Sequence, residues 1–334
     1  MGLTKALSRF PHKGRGSYLA LLIVAGLLPF VLSSVFYRNL LISTFIFIFV
    51  TASLRFISLC GQYSMGHAGF MGVGAYGSAV ICKSTGISPF ACIVLGVVFT
   101  FVIAFLVGLL FARLRGPYFA MITMFFGIAL LGYNQVLARL TKGQAGFVGI
   151  KPLFTGSNHQ IKYYYFILAM LVIALILMHR LEVTRVGLRW KSVAQSHLVA
   201  GSTGINEYFE RVMAFSIGCA FAGFAGGLYA HYYGILSFDS FTFLTSMQYL
   251  VYAMTGGLAY FAGPIVGTSV LVLIPEIFRG LHEYRLYLYA AIMLFVLFVV
   301  PKGLCGAREQ VAGLWMTRRR TKRLTEEGAE SDVA

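Results

Sequence analysis

The stretch "CGQYSMGHAGFMGVGAYGSAV", Cys60 to Val80, sets glycines at 61, 66, 69, 72, 74 and 77 around one histidine, His67, inside an otherwise apolar chain. Glycine costs a helix interior about 1 kcal/mol relative to alanine, so this density needs a compensating use. In a membrane two uses exist: close approach of helix backbones, and an interrupted helix beside a polar path. Gly69, Gly72 and Gly77 suit the first. Gln62, Ser64 and His67 suit the second, because an intramembrane polar group must find a partner or face water. These three are the candidate contacts on a substrate path.

Composition places the chain in the bilayer. Its 334 residues are 58% hydrophobic and 11% charged, with a mean hydropathy of +0.80, which a water-soluble domain could hardly hold without large exposed apolar patches. Apolar runs long enough to span, roughly 20 residues each, recur from Tyr18 almost to Val300. The expected fold is all-α, one polytopic transmembrane bundle with broken, glycine-rich helices. The net charge of +16 sits in clusters between the apolar runs and at the two ends, which is the cytoplasmic excess of Lys and Arg rather than a nucleic-acid surface. The cysteines at 60, 82, 92, 219 and 305 have no paired spacing and read as small apolar fillers.

Spans are expected at about 18–36, 39–59, 64–82, 89–112, 117–138, 162–180, 211–233, 246–260, 264–279 and 285–301, about ten in all. Lys5, Arg9, Lys13 and Arg15 hold the N-terminus inside, ahead of an uncleaved first span. Both basic connections, "RLRG" (113–116) and 181–210, then fall inside, as does "TRRRTKR" (317–323). That parity requires a break at "GGLAYFAGP", where Gly256, Gly257, Gly263 and Pro264 supply it. The resulting organisation is a cytoplasmic segment 1–17, a transmembrane domain 18–306 and a cytoplasmic tail 307–334 that ends acidic and disordered.

The charge map excludes several mechanisms. Residues 1–181 contain no Asp or Glu, and the first acid is Glu182. Ion-driven transporters keep carboxylates in the membrane, and only Glu276, with Arg279 one turn away, is placed for that. No phosphate-binding G-x-x-x-x-G-K-[ST], no H-E-x-x-H and no paired carboxylates occur, so no catalytic residue, metal site or cofactor is expected. Arg55 is one turn from a span end and is expected to snorkel to the interface. Asn134 and Gln135 are expected at the opposite interface, and Gly223 with Gly227 forms a G-x-x-x-G packing pair. The loop from Leu181 to Phe215 carries Val193, Leu198, Val199 and Ala200 before a Gly-Ile break, the pattern of a short amphipathic helix docking on a soluble partner.

"GQYSMGHAGFMGVGAY" (61–76), "LRGPYFAMITMFFG" (114–127), "GQAGFVGI" (143–150), the block 201–241, "TGGLAYFAGPIVG" (255–267) and "VVPKGLCG" (299–306) occur in an order that resembles the LivM-type permeases of branched-chain amino acid ABC importers. The resemblance implies a bacterial inner-membrane subunit working with a homologous LivH-like permease, two cytosolic ATPase subunits and a periplasmic or lipid-anchored binding protein. ATP hydrolysis would lie on those ATPase partners. It also implies that Ser192 to Ile205 is the segment that couples to the ATPase, with Ser192, Val193, Ala194, Leu198, Val199, Gly204 and Ile205 in it. Thr203 stands where the family's turn has Leu, and Gln195, Ser196 and His197 stand where acids are common. Lys142 in "TKGQAG" departs from T-G-G-x-x-G. The implied substrate is a branched-chain or other small amino acid. Urea, short amides, other small polar solutes and an intramembrane enzyme, checked by the geometry of Ser64 and His67, are the alternatives.

Overall fold

The computed structural model describes residues 34–136, 146–156, 158–277 and 303–307, with isolated positions between 26 and 29 and between 287 and 298. The chain runs α1 (Val35–Ser58), α2 (His67–Thr85), α3 (Pro89–Phe111), α4 (Pro117–Val136), β1 (Phe147–Val148), α5 (His159–Val183), α6 (Arg185–Gln195), α7 (His197–Ser202), α8 (Glu207–Tyr233), β2 (Ile235–Leu236), α9 (Phe243–Gly256) and α10 (Gly263–Ile277). Among the described residues α1, α3, α5 and α8 are long and apolar enough to cross a membrane. At 1.5 Å per residue their 23 to 27 residues reach about 35–40 Å. Shorter apolar stretches cover Pro117–Leu130 and Gly263–Glu276. The chain is an all-α, multi-pass membrane bundle. The expected spans at 18–36 and 285–301 lie largely outside the described residues, as do Arg279, the "TKGQAG" segment before Gly146, and the side chains of Asn134 and Gln135.

Helix α8 is the axis, packed chiefly on α2 and α3, while α1 lies against α5, α8 and α10. Glycine makes this possible at the closest crossing. A Cβ on Gly74 would lie 2.4 Å from Gly223 Cα, and one on Gly226 would lie 1.9 Å from the Met71 carbonyl oxygen. The packing expected of Gly223 and Gly227 is therefore present, with Gly227 seated on Ile93. Gly69 and Gly72 meet Gly127 and Phe241 closely, and Gly77 packs on Phe99. Phe215 fills the level below, edge-on to Phe70 at 5.3 Å and to Phe119 at 5.4 Å.

Two ends of the bundle follow from contacts. At one, Arg115 pairs with Glu207 at 3.0 Å, Arg55 reaches Glu182 and the Leu258 carbonyl, and Gly303 lies against Gly257. At the other, β1 pairs antiparallel with β2, Lys83 sits 4.8 Å over the Phe147 ring, and Tyr232 donates to Asn39 at 2.6 Å. The break expected at "GGLAYFAGP" is present: α9 stops at Gly256, the chain turns through Gly257 (φ 102°), and α10 packs back on α9.

Candidate functional site

The glycine-rich stretch begins as a non-helical connection between α1 and α2 and continues as α2. The chain leaves α1 through a turn in which the Cys60 and Gly61 amides donate to Ile57 O and Ser58 O at 3.1 and 2.9 Å. Gly61 has φ +75°, open to glycine and strained for other residues. Residues 62–66 are not helical, and α2 starts only at His67. Other helices hold this segment by its backbone. Met65 N–H donates to Thr123 Oγ1 of α4 at 3.2 Å, and Ala68 N–H to Ser246 Oγ of α9 at 2.9 Å. Gly66 is pressed so closely on α4 that a Cβ would lie 2.0 Å from the Thr123 carbonyl oxygen.

Three polar side chains at the break are buried and under-used. Gln62 is 1% exposed, Ser64 and His67 are 0% exposed, and both Gln62 amide atoms, Ser64 Oγ and His67 Nδ1 have no hydrogen-bond partner among the described residues. His67 Nε2 lies 2.7 Å from Ser53 Oγ. The Ser53 hydroxyl also lies 2.8 Å from Val50 O. A buried polar group without a partner costs about 1–3 kcal/mol. The four atoms belong to Gln62 and Ser64 of the non-helical segment and to His67 at the first position of α2. Ser64 and His67 have no hydrogen bond to each other among the described residues, so the pair is not arranged as a nucleophile and its base.

Beside the break lies a clamp of charges. Arg55 does not snorkel: it is 3% exposed, and its Nη1 and Nη2 donate to Glu182 Oε2 and Oε1 at 2.8 and 3.1 Å. Its Nε donates to Leu258 O at 3.1 Å, with the guanidinium 5.5 Å over the Phe261 ring. Lys191 Nζ completes Glu182 at 2.9 Å. At the adjacent positions, Phe56 meets Trp190 edge-to-face at 5.0 Å, and Trp190 Nε1 donates to Glu210 at 2.8 Å. The guanidinium has partners on every side, so the interface offers it no gain.

The segment 192–205 is two helices, not one. Ser196 is extended (φ −159°), ends α6, and caps α7 by accepting from Val199 N–H at 3.4 Å. The expectation that Val193 waits for a partner is corrected: it is 2% exposed and part of the bundle core, because Trp190 and Val193 lie one turn apart on the inward face of α6. Ala194 is exposed, with its Cβ 3.5 Å from where a Cβ on Gly61 would sit. Leu198 and Val199 are 75% and 63% exposed. Gly204 has φ +81°, a left-handed turn after α7, Ser192 faces solvent, and Ile205 is half-buried on the core.

Sequence reasoning missed Ser53, Thr123 and Ser246, which come to the break from separate helices, and missed Trp190, Lys191 and Glu182 as ties between loop and bundle. A Trp in a basic loop, and the first carboxylate of the chain placed at a span end, were the available signals.

The chain matches the family described as "Branched-chain amino acid transport system / permease component" over residues 17–300. It is 29% identical over 317 residues, 86% of this chain and 73% of the relative, to the high-affinity branched-chain amino acid transport system permease protein LivM of Salmonella typhimurium. To the LivM protein of Escherichia coli it is 27% identical over 316 residues, 85% and 73% of the two chains. To the LivH permease protein of Escherichia coli it is 28% identical over 145 residues, 42% and 45% of the two chains. No solved structure matches. With the family match covering residues 17–300 of a helical, multi-pass membrane bundle, the chain belongs to the permease components of branched-chain amino acid transport systems.

Proposed function

We propose that this permease forms one side of the path by which a branched-chain or other small neutral amino acid crosses a bacterial inner membrane, and that the path passes the Gln62–His67 break. The observation that carries this reading is the set of buried, unpartnered polar atoms on Gln62, Ser64 and His67. None of the three is a carboxylate, Lys or Arg, so the segment offers donors and acceptors without a fixed charge, suited to a solute of zero net charge. Irregular backbone at membrane depth is tolerated where it is buried in protein or lines a cavity.

On this reading 18–306 is the permease domain, and the segment 1–17, the loop 181–210 and the tail 307–334 are cytoplasmic. Leu198 and Val199 of α7, with the Gly204–Ile205 turn, form the contact with one of two cytosolic ATPase subunits. Ser192 and Ala194 border that contact, while Val193 acts from the bundle side. A LivH-like permease closes the path from the other side, and a periplasmic or lipid-anchored binding protein delivers the substrate. The basic loop ends support the orientation. The absence of a phosphate-binding loop from the sequence supports hydrolysis on another chain.

Uptake of labelled leucine into vesicles carrying the complete transporter tests the reading. Uptake persists with internal ATP and an uncoupler present, and stops when ATP is removed. Loss on uncoupling, with ATP intact, would turn the assignment to a gradient-driven carrier.

A further inference from the structure

We propose that Arg55, Glu182 and Lys191 are positioning residues that bind the end of α1, α6 and the α9–α10 turn into one rigid block, so that movement of α7 reaches the Gln62–His67 break without slippage. The proposal rests on the reading of α7 as the ATPase contact and adds the route by which displacement travels from it.

The route is short and continuous. Helix α7 follows α6 with only Ser196 between them, and that serine caps α7. Helix α6 is fixed at successive levels: Lys191 on Glu182 of α5 at 2.9 Å, Trp190 on Phe56 near the end of α1 at 5.0 Å, and Ala194 against Gly61 in the turn after α1. Gly61 is the residue immediately before Gln62. Arg55, three residues before the end of α1, joins Glu182 of α5 through two hydrogen bonds and the α9–α10 turn through Leu258 O. The α9 helix that leads into this turn carries Ser246, which holds the other end of the break at Ala68. The break is thus held at both ends by elements that the same guanidinium joins.

Stability alone does not account for this choice of residues. A buried ion pair recovers its desolvation cost only with good geometry, and packed apolar residues of similar volume often stabilise as well. The paired fork adds direction: two parallel hydrogen bonds fix the angle between α1 and α5, as an apolar contact does not.

The test uses the complete transporter, both permeases with ATPase and binding protein, in liposomes. The variant carrying Gly61→Cys and Ala194→Cys brings two Cβ atoms about 3.5 Å apart, within disulfide range. Copper-phenanthroline should form the cross-link, and leucine uptake should stay within about twofold of the reduced protein, as a coupling change of a few tenths of a kcal/mol implies. Failure to cross-link, or loss of uptake on oxidation with recovery under dithiothreitol, shows that the segments separate or slide and overturns the block. Because Gly61 has φ +75°, that substitution could by itself prevent insertion. Glu182→Gln then decides: it should leave assembly and ATP hydrolysis in place while leucine moved per ATP falls about tenfold. Unchanged transport per ATP in Glu182→Gln overturns the proposal. Leu198→Asp separates the two ideas: if it leaves ATPase coupling intact, the reading of α7 fails, whereas slippage with Leu198→Asp still uncoupled fails the block alone.

Discussion

Gly226 and Gly74 are set by backbone contact between α2 and α8, where no side chain fits. Gly226→Ala places a methyl group 1.9 Å from Met71 O, and the helices must part, an overpacking cost of about 1–3 kcal/mol. We expect a lower thermal midpoint in detergent, whereas Gly201→Ala, with nothing within 4 Å, should leave it unchanged or raise it by up to about 1 kcal/mol of stability. Equal midpoints for the two variants would contradict the crossing described. Arg55→Met should cost up to about 3 kcal/mol, less than a fully unpaired buried charge because Lys191 stays on Glu182, with much of it recovered when Glu182→Met is added; a double-mutant cycle on chemical unfolding measures it. The packing glycines were legible in the sequence because small residues at helical spacing have few other uses in lipid. The fate of Arg55 was not, since its partner is 127 positions away and local sequence shows only a cation near a span end.

At the scale of elements, the two short helices after α5 divide the work expected of one. Helix α6 spends its apolar face on the bundle, and α7 leaves Leu198 and Val199 outside it. Leu198→Asp should therefore reduce co-purification of the ATPase several-fold, at about 25 cal/mol for each Å² of apolar surface left in water, with unchanged membrane insertion. Gly204→Val forces a β-branched residue to φ +81°, a strain of about 1–3 kcal/mol, and should lower both co-purification and substrate-stimulated hydrolysis. Wild-type values for both in either variant would leave α7 a linker. The Gly204 turn could be read from a Gly-Ile step, but the direction of Val193 could not: an amphipathic loop helix can face its own bundle or a partner with the same sequence. The collar of Ser53, Thr123 and Ser246 was equally hidden, because helical hydroxyls commonly bond their own backbone, as Thr123 also does to Phe119 O at 3.0 Å.

For the whole molecule, charge and glycine breaks set an expected alternation of ends along the chain, and among its elements the break between α9 and α10 is present. Gly303 beside Gly257 places the chain, just before its basic tail, at the end that holds α6 and α7. Tags at Met1 and Ala334 should accordingly be protected together in sealed cells and react together after permeabilisation, and opposite accessibility would refute the even number of spans. The central claim is that the break at 62–67 lines the substrate path, and labelling of cysteines there tests it most directly. In the complete transporter, Gln62→Cys, Ser64→Cys and His67→Cys, each in a background with the native cysteines replaced, should react with a small water-soluble thiol reagent in at least one state of the ATP cycle, and saturating leucine should slow the reaction. Silence at all three positions in every state, with transport intact, would leave the segment a packing device and contradict the account.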